Sequence, residues 1–421
     1  MKFTAYGLAA LMFLAAGCQR ETAGTPEVRR DYPQSLKIFL DSGALTRSDV
    51  LVELKIADLK AKKGDFNPAA AAAFAGDREL PLQSIDQDRD GRADVLAVLA
   101  DFPNGGTREL TLFYAPSGEK KRNYPQRAQA EISRKSGGHF ENRKYIGGEF
   151  ENVTALKVPP EHTDHSFFIR YEGPGWESDR VGYRFYLDWR NATDIFGKKT
   201  GEMVLQQVGL DGFDSYHEMS DWGMDILKVG ESLGIGSPGM WTEDGAMRVS
   251  QTDSLYCEIA DNGPLFARVH TDYAGWQVAG ARYDLSSELS IAAGSRLTRH
   301  DLQISGDPPN LCTGIVKHPG TVLLDKSPNA SGWGYLATYG RQSLAEDELG
   351  MAVLFRQEDF QSFQEDEYSE VVVLKPRDGR LRYYFLAAWS QEPDGIRGEA
   401  AFMAYLETLV KELNTPVEVR Y

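Results

Sequence analysis

The sequence predicts an all-β protein of antiparallel strands, and three observations carry that prediction. Short runs of alternating apolar and polar residues recur along the chain, separated by turns of Gly, Pro, Asn and Asp; the 421 residues include 41 Gly and 19 Pro. Only one long segment has a helical period: from about Gly398 to Asn414, Phe402, Met403, Leu406, Leu409, Val410 and Leu413 recur at three- and four-residue spacing, and Pro416 stops the pattern. Hydrophobic residues make up 42% of the chain, enough for a large core and too many for disorder. No repeat of solenoid length interrupts this picture.

Residues 1–17 read as a signal peptide. Lys2 opens a short basic region, and Tyr6 to Ala16 is an apolar run too short to span a bilayer. It ends in Leu14-Ala15-Ala16-Gly17-Cys18, which resembles the lipobox of bacterial lipoproteins. Small residues admit the peptidase, and Cys18 then carries the lipid. The competing reading is an ordinary secretory signal with an incidental Cys. Gln19, rather than Asp, follows the cysteine, which favours the outer membrane in the usual sorting scheme. Residues 18–35 read as a tether, because Glu21 to Tyr32 has Gly, Thr and Pro but no apolar period.

A small N-terminal β unit is expected over 36–125, beginning with strands such as Leu51 to Ile56. A composition shift at Lys120-Lys121-Arg122-Asn123-Tyr124-Pro125 marks its boundary with a large β domain over 126–421. Ala69 to Ala73 is of low complexity and reads as a loop or short helical turn. The sharpest local motif is Asp86-Gln87-Asp88-Arg89-Asp90-Gly91-Arg92-Ala93-Asp94. Asp86, Asp88, Asp90 and Asp94, with Gly91 at the sixth position, resemble a calcium loop, where hard oxygen ligands on alternate residues converge on one ion. Ala97 stands where such loops carry a bidentate Glu, and a solvated hairpin turn explains the acids equally. Calcium, if bound, is structural; no other cofactor is required.

Charge and cysteine content narrow the function. The chain has 46 Lys+Arg against 62 Asp+Glu, a net charge of −16. That acidic balance excludes the basic footprint of a nucleic-acid binder. The expected membrane partner is reached through the lipid anchor alone. With Cys18 lipidated, Cys257 and Cys312 remain, either as a disulfide or as two buried thiols.

The middle of the chain is dense in aromatic and charged residues. Glu161-His162-Thr163-Asp164-His165 precedes an apparent strand, Ser166 to Glu172, and the turn Gly173 to Arg180. Val181 to Arg190 then reads as a second strand. Alternation places Val181, Tyr183, Phe185, Leu187 and Trp189 on a core face, and Arg184, Tyr186, Asp188 and Arg190 on the other. Two Arg flanking Tyr and Asp suit the floor of a polar groove better than a solvent face. Arg grips carboxylate or sulfate bidentately, and aromatic rings stack on sugars. Further on, His217 and Asp221 are four apart, so Asp221 could orient His217 as a general base; a surface His beside an N-cap Asp is the alternative. His162, His165, Glu161 and Asp164 could instead form a metal cluster, completed by His217 or His318. Gly234-Ile235-Gly236-Ser237-Pro238-Gly239 has the spelling of a dinucleotide fingerprint, but Pro238 lies inside it and no helix pattern follows. No Gly-x-Ser-x-Gly elbow occurs.

Two long stretches resemble a known family. One is Arg170-Tyr171-Glu172-Gly173-Pro174-Gly175-Trp176-Glu177-Ser178-Asp179 running into Gly182 to Asp188. The other is Asp221-Trp222-Gly223-Met224-Asp225-Ile226-Leu227-Lys228-Val229-Gly230, followed by Ser232-Leu233-Gly234. Together they resemble the lipoproteins classed as domain of unknown function 4861, over most of the mature chain. The resemblance implies secretion by bacteria that digest plant or algal polysaccharides, and a carbohydrate-active role on uronic-acid-containing oligosaccharides. The run Gly263 to Ile304 has the strand grammar of the galactose-mutarotase supersandwich, so the large domain is expected to be a β-supersandwich.

Three readings follow from these residues. A lyase or dehydratase would use His165 or His217 as base, Tyr186 as acid and Arg184 or Arg190 as carboxylate clamp, with His162, Arg170, Glu172, Trp176, Asp188 and Trp222 among the substrate contacts. A glycoside hydrolase would draw two carboxylates from Glu172, Glu177, Asp188, Asp221 and Asp225. A non-catalytic glycan binder would need only platforms such as Trp176, Trp189 and Trp222.

Overall fold

The structure is a computed structural model that describes residues 26–326 and 332–421. The expected signal peptide and the expected lipidation site, Cys18, lie outside the described residues. The chain forms the expected all-β architecture: a large antiparallel supersandwich, a small N-terminal β unit and a C-terminal helix. Among the described residues no helix is long and apolar enough to cross a membrane.

The N-terminal unit stacks two sheets. One has five strands in the order Glu418–Arg420, Gln34–Asp41, Thr107–Tyr114, Ala71–Ala75, Arg78–Leu80; the other has three, Arg47–Lys55, Val95–Phe102 and Leu82–Ile85. Alternate residues such as Ile38, Leu40, Val52, Leu54, Val98 and Leu112 fill the space between them. The sequence placed Ala69 to Ala73 in a loop or helical turn. Pro68–Ala70 is indeed a short 3₁₀ turn, but Ala71–Ala75 is a buried strand, since methyl side chains let sheet and neighbouring helix approach closely. Pro26–Asp31 is a short helix whose Val28 and Tyr32 pack with Phe74 and Phe113, so the stretch read as a tether is docked from there onward. The chain's last strand also returns to this unit, Phe39 pairing with Arg420, although a linear division after residue 125 assigns it to the other.

The large domain packs a nine-stranded antiparallel sheet against a six-stranded and a five-stranded one. Phe266–Val278, Ala281–Ala292, Leu297–Ile304 and Arg380–Trp389 run through the middle of the nine. Their inward residues, including Val269, Tyr273, Leu289 and Phe385, meet Trp176, Tyr183 and Ile195 of the six and Leu311, Ile315 and Val372 of the five. Cys257 and Cys312 are both buried and free, which decides between the two alternatives left by the sequence; burial pushes the Cys257 thiol up to about 12.

The helix spans Glu399–Asn414 and covers the outer face of the nine-stranded sheet with Phe402, Leu406, Leu409 and Val410 against Tyr335, Tyr339, Leu354 and Leu386. Met403 belongs to the apolar repeat by spacing, yet it is exposed, one position off the buried stripe. Leu406→Ala should therefore cost about 2–5 kcal/mol in denaturant unfolding, whereas Met403→Ala should stay within about 0.5 kcal/mol.

Candidate functional site

The site is built on the six-stranded sheet, whose order is Gly223–Asp225, Thr193–Lys198, Gly182–Phe185, Gly175–Ser178, Ala128–Glu141, Lys144–Val153. Three buried charges, Glu177 and Arg184 on this sheet and Arg170 in the 3₁₀ turn beside it, hold the segment from Val204 to Trp222 over it. Glu177 pairs with Lys198 and accepts the backbone N–H groups of Val204 and Leu205 at 2.8 and 2.7 Å. Arg170 pairs with Glu131 and donates to the carbonyls of Gln206 and Val208 at 3.0 and 3.1 Å. Burial pushes the Glu131 carboxyl up to about 7 despite that partner. Arg184 donates to Tyr216 Oη at 3.0 Å and to Asp194 Oδ2 at 2.8 Å, and it also pairs with Asp225.

Backbone strain is concentrated beside these anchors. His165, Phe167, Tyr171, Glu172 and Asn191 all have positive φ, at 55, 59, 38, 73 and 41°. Each such non-glycine residue costs of order 1–3 kcal/mol and persists only where the surroundings enforce it. Gly173 shows what enforces it: a Cβ there would lie 1.7 Å from the carbonyl oxygen of Phe185. For the same reason Ser166 to Glu172 is not the expected strand. It is an irregular segment ending in a single 3₁₀ turn, Arg170–Glu172.

This geometry brings His165 and His217 to one place. Both rings contact Phe213, with centres 4.3 and 4.8 Å from it. The His165 side chain is 49% exposed and that of His217 33%. His165 Nδ1 lies 2.7 Å from Asp164 Oδ1, and its backbone N–H donates to Glu172 Oε1 at 2.9 Å. Arg190 closes the cluster, with Nη1 3.0 Å from Asp164 Oδ1 and Nη2 3.0 Å from Glu172 Oε2, while its fork also grips Asp188. The guanidinium lies 3.8 Å above the Tyr186 ring. Asp164, His165 and Glu172 bring ligand atoms within 4.8 Å of one another, a spacing that suits a metal ion, and the Arg190 guanidinium is the cation those carboxylates face.

The two histidines differ in what their ring nitrogens meet. His217 Nδ1 is 2.9 Å from the Phe213 carbonyl and Nε2 is 3.3 Å from Asp225 Oδ2. Both partners only accept, so both nitrogens are served best when protonated, and the Asp225 carboxylate raises the His217 pKa. In His165, Nδ1 lies against Asp164 Oδ1 without hydrogen-bond geometry, and among the described residues nothing bonds Nε2. A ring nitrogen left open in this way can serve as a general base when it carries the lone pair. Burial raises Asp164; Glu172 is also pushed up by burial, but Arg190, Arg184 and the His165 N–H outweigh that and hold it below its ordinary value. Burial and the neighbouring Asp225 charge push Asp194 up to about 7.

Several residues named from the sequence sit elsewhere. Asp221 is exposed, and the carboxylate at His217 is Asp225, because the chain turns through Ser220–Gly223 instead of forming a helix. The second strand stops at Phe185. Asn191 donates its backbone N–H to the Asp188 carbonyl in a tight turn, so Tyr186, Asp188 and Arg190 do not share a strand face. Arg184 and Tyr186 are buried, the Tyr186 hydroxyl donating to Asp194, and neither can act as clamp or acid toward a bound substrate. Trp176 is also buried, its Nε1 donating to Thr298 Oγ1 at 2.9 Å, so it offers no platform. Trp189, assigned to the core face, is instead 43% exposed. Trp222 is half-buried against Phe196. His162 is buried with Nδ1 2.8 Å from Ser166 Oγ, and His318 is exposed on a distant loop. Phe213 and Tyr216 had no signal in the sequence because they reach the site through an irregular segment, and Asp194 had none because only strand pairing sets it opposite Arg184.

Outside the cluster, Asp86, Asp88 and Asp94 gather their carboxylates within 4.8 Å, but Asp90 is not among them and accepts the Arg92 N–H instead. The glycine-rich stretch is no nucleotide loop: Gly234 pairs with Thr193 so closely that a Cβ would lie 2.0 Å from its carbonyl oxygen, and a strand, Gly239–Thr242, follows. A cavity of about 740 Å³ lies between the Asp86–Asp94 turn and the outer face of the nine-stranded sheet. Its arginines are engaged in pairs: Arg89–Glu258 and Arg299–Glu53 join the two units, and Arg377–Asp359 and Arg356–Glu358 lie within the large domain.

The profile of a family described as a domain of unknown function, DUF4861, matches residues 41–419. The chain belongs to that family. No curated protein matches its sequence. Among solved structures it is similar to a protein in glycosyl hydrolase family 38 from Enterococcus faecalis, with TM-score 0.46 and 11% identity over 92% of this chain and 47% of that one. It is similar also to an α-mannosidase from Enterococcus faecalis V583, with TM-score 0.45 and 10% identity over 92% and 46%. The chain thus spans about half the length of both. In this DUF4861 chain the two long motifs supply chiefly the buried frame of the site.

Two outcomes test that frame. Lys198→Met leaves Glu177 buried and unpaired and should cost about 3–5 kcal/mol in denaturant unfolding. A nuclear magnetic resonance titration should place the His217 pKa above its ordinary value of 6.5, and Asp225→Asn should bring it down. Because the folded value is the higher one, this pair stabilises the fold below the unfolded pKa, and the contribution is lost as pH rises through the folded one.

Proposed function

We propose that this DUF4861 chain is a carbohydrate-active enzyme that performs β-elimination on uronic-acid-containing oligosaccharides, with His165 as the base. The observation that supports it is the exposed His165 imidazole, whose Nδ1 faces Asp164 while Nε2 stays free. Nε2 takes the proton from C5 of the uronate, the C4–O bond breaks, and a C4=C5 double bond forms. The imidazolium then returns the proton to the departing oxygen, so no other acid is needed; Tyr186, named for that role from the sequence, is spent on Asp194. Charge building on the substrate carboxylate is met by Arg190 and the His217 imidazolium. Asp164, raised by burial, is the Arg190 partner that yields most readily to a substrate carboxylate.

Hydrolysis by two carboxylates is the second reading, favoured by the opposite pKa directions of Asp164 and Glu172. The lipobox at Cys18 supports anchorage in the outer membrane, and a structural calcium at Asp86, Asp88 and Asp94 belongs to the same proposal. Incubation with uronic-acid oligosaccharides, followed by ultraviolet absorbance and mass spectrometry, tests the reaction. Elimination gives an absorbing conjugated uronate, and His165→Ala should lower its formation by about 10²-fold or more. A new reducing end without absorbance favours hydrolysis, and full activity in His165→Ala overturns the assignment.

A further inference from the structure

Next to the His165 cluster the chain turns outward at Trp189, between Asp188 and Arg190. This tryptophan is 43% exposed, and the Arg248 guanidinium lies 5.2 Å from its ring centre. Arg248 is half-buried, and among the described residues no carboxylate reaches ion-pair distance of it; its only side-chain bond is a long one, 3.5 Å, to the Ser232 carbonyl. The same residue lines a cavity of about 260 Å³, together with Glu231, Asp244, Glu367 and Tyr368. Tyr368 is itself 40% exposed. Nothing in the frame of the site uses these groups.

An exposed indole beside a cation that also lines a small polar cavity has a recognisable chemistry. The ring offers a flat apolar face to the C–H side of a pyranose, and the carboxylates accept hydrogen bonds from its hydroxyls while Arg248 donates to its oxygens. The surplus of acids disfavours an anionic sugar there. The cavity is of a size for a single ring rather than a long glycan.

We infer that Trp189, Arg248 and the cavity beside them form a subsite for an uncharged pyranose, adjacent to the ring that is processed at His165. This rests on the proposed carbohydrate activity and narrows its substrate to a mixed glycan, in which a neutral sugar flanks the uronate. Binding, rather than turnover, tests it: isothermal titration of the full chain with neutral cello-, xylo-, manno- and rhamno-oligosaccharides. At least one probe should bind, with affinity falling about tenfold or more in Trp189→Ala and partly recovered in Trp189→Phe. Arg248→Ala should weaken the same probe, and His165→Ala should leave it unchanged. Absence of binding by every neutral probe, or equal binding by Trp189→Ala, overturns the subsite. Because binding is read apart from turnover, loss of the elimination reading would leave a positive titration standing, and a failed titration would leave turnover standing.

Discussion

Val204 to Trp222 is a long connection without regular structure beyond two short 3₁₀ turns, yet it carries Phe213, Tyr216 and His217. Its position depends on three buried ionic groups, two in the sheet beneath it and one in the adjoining 3₁₀ turn. Glu177 takes its first N–H groups, Arg170 its next carbonyls, and Arg184 the Tyr216 hydroxyl. A buried charge is costly unless every bonding capacity is met, so these residues tolerate few alternative loop paths. The arrangement trades apolar burial for a fixed loop.

The same economy operates around His165. Two consecutive left-handed residues, Tyr171 and Glu172, turn the Glu172 carboxylate back onto the His165 backbone and Arg190. Strain in this segment is held by the close approach of Gly173 to Phe185 and by the bonds that converge on Arg190. One guanidinium thus organises three carboxylates, one of which, Asp164, faces the exposed histidine. A second, Arg184, organises Asp194 and Asp225 and through the latter the charge of His217. The two histidines differ in their surroundings: one ring nitrogen of His165 is left open, whereas both of His217 face acceptors.

Much of the fold was legible in the sequence. Antiparallel alternation, turn residues and one terminal helical repeat suffice to describe an all-β chain, since side-chain period follows directly from backbone geometry. Legibility failed where period was absent or ambiguous. Ser166 to Glu172 alternates like a strand but cannot be one with positive φ at Phe167, Tyr171 and Glu172. Ala71 to Ala75 lacks the size contrast that marks a strand, and the pairing of Glu418–Arg420 with the first strand joins positions that no local pattern connects.

By itself the sequence determined the class of fold, the chemical inventory of the centre and the motifs that mark the family. Tertiary structure alone decided which of those groups are structural and which are exposed. Trp176, Arg170 and Arg184 read as ligand contacts from residue type, and they proved to be interior supports. Trp189 read as core, and it faces solvent. The physical reason is that alternation assigns faces only while a strand continues. At Phe185 the strand ends, and the turn at Asp188–Asn191 reverses the chain and sends Arg190 back over Tyr186.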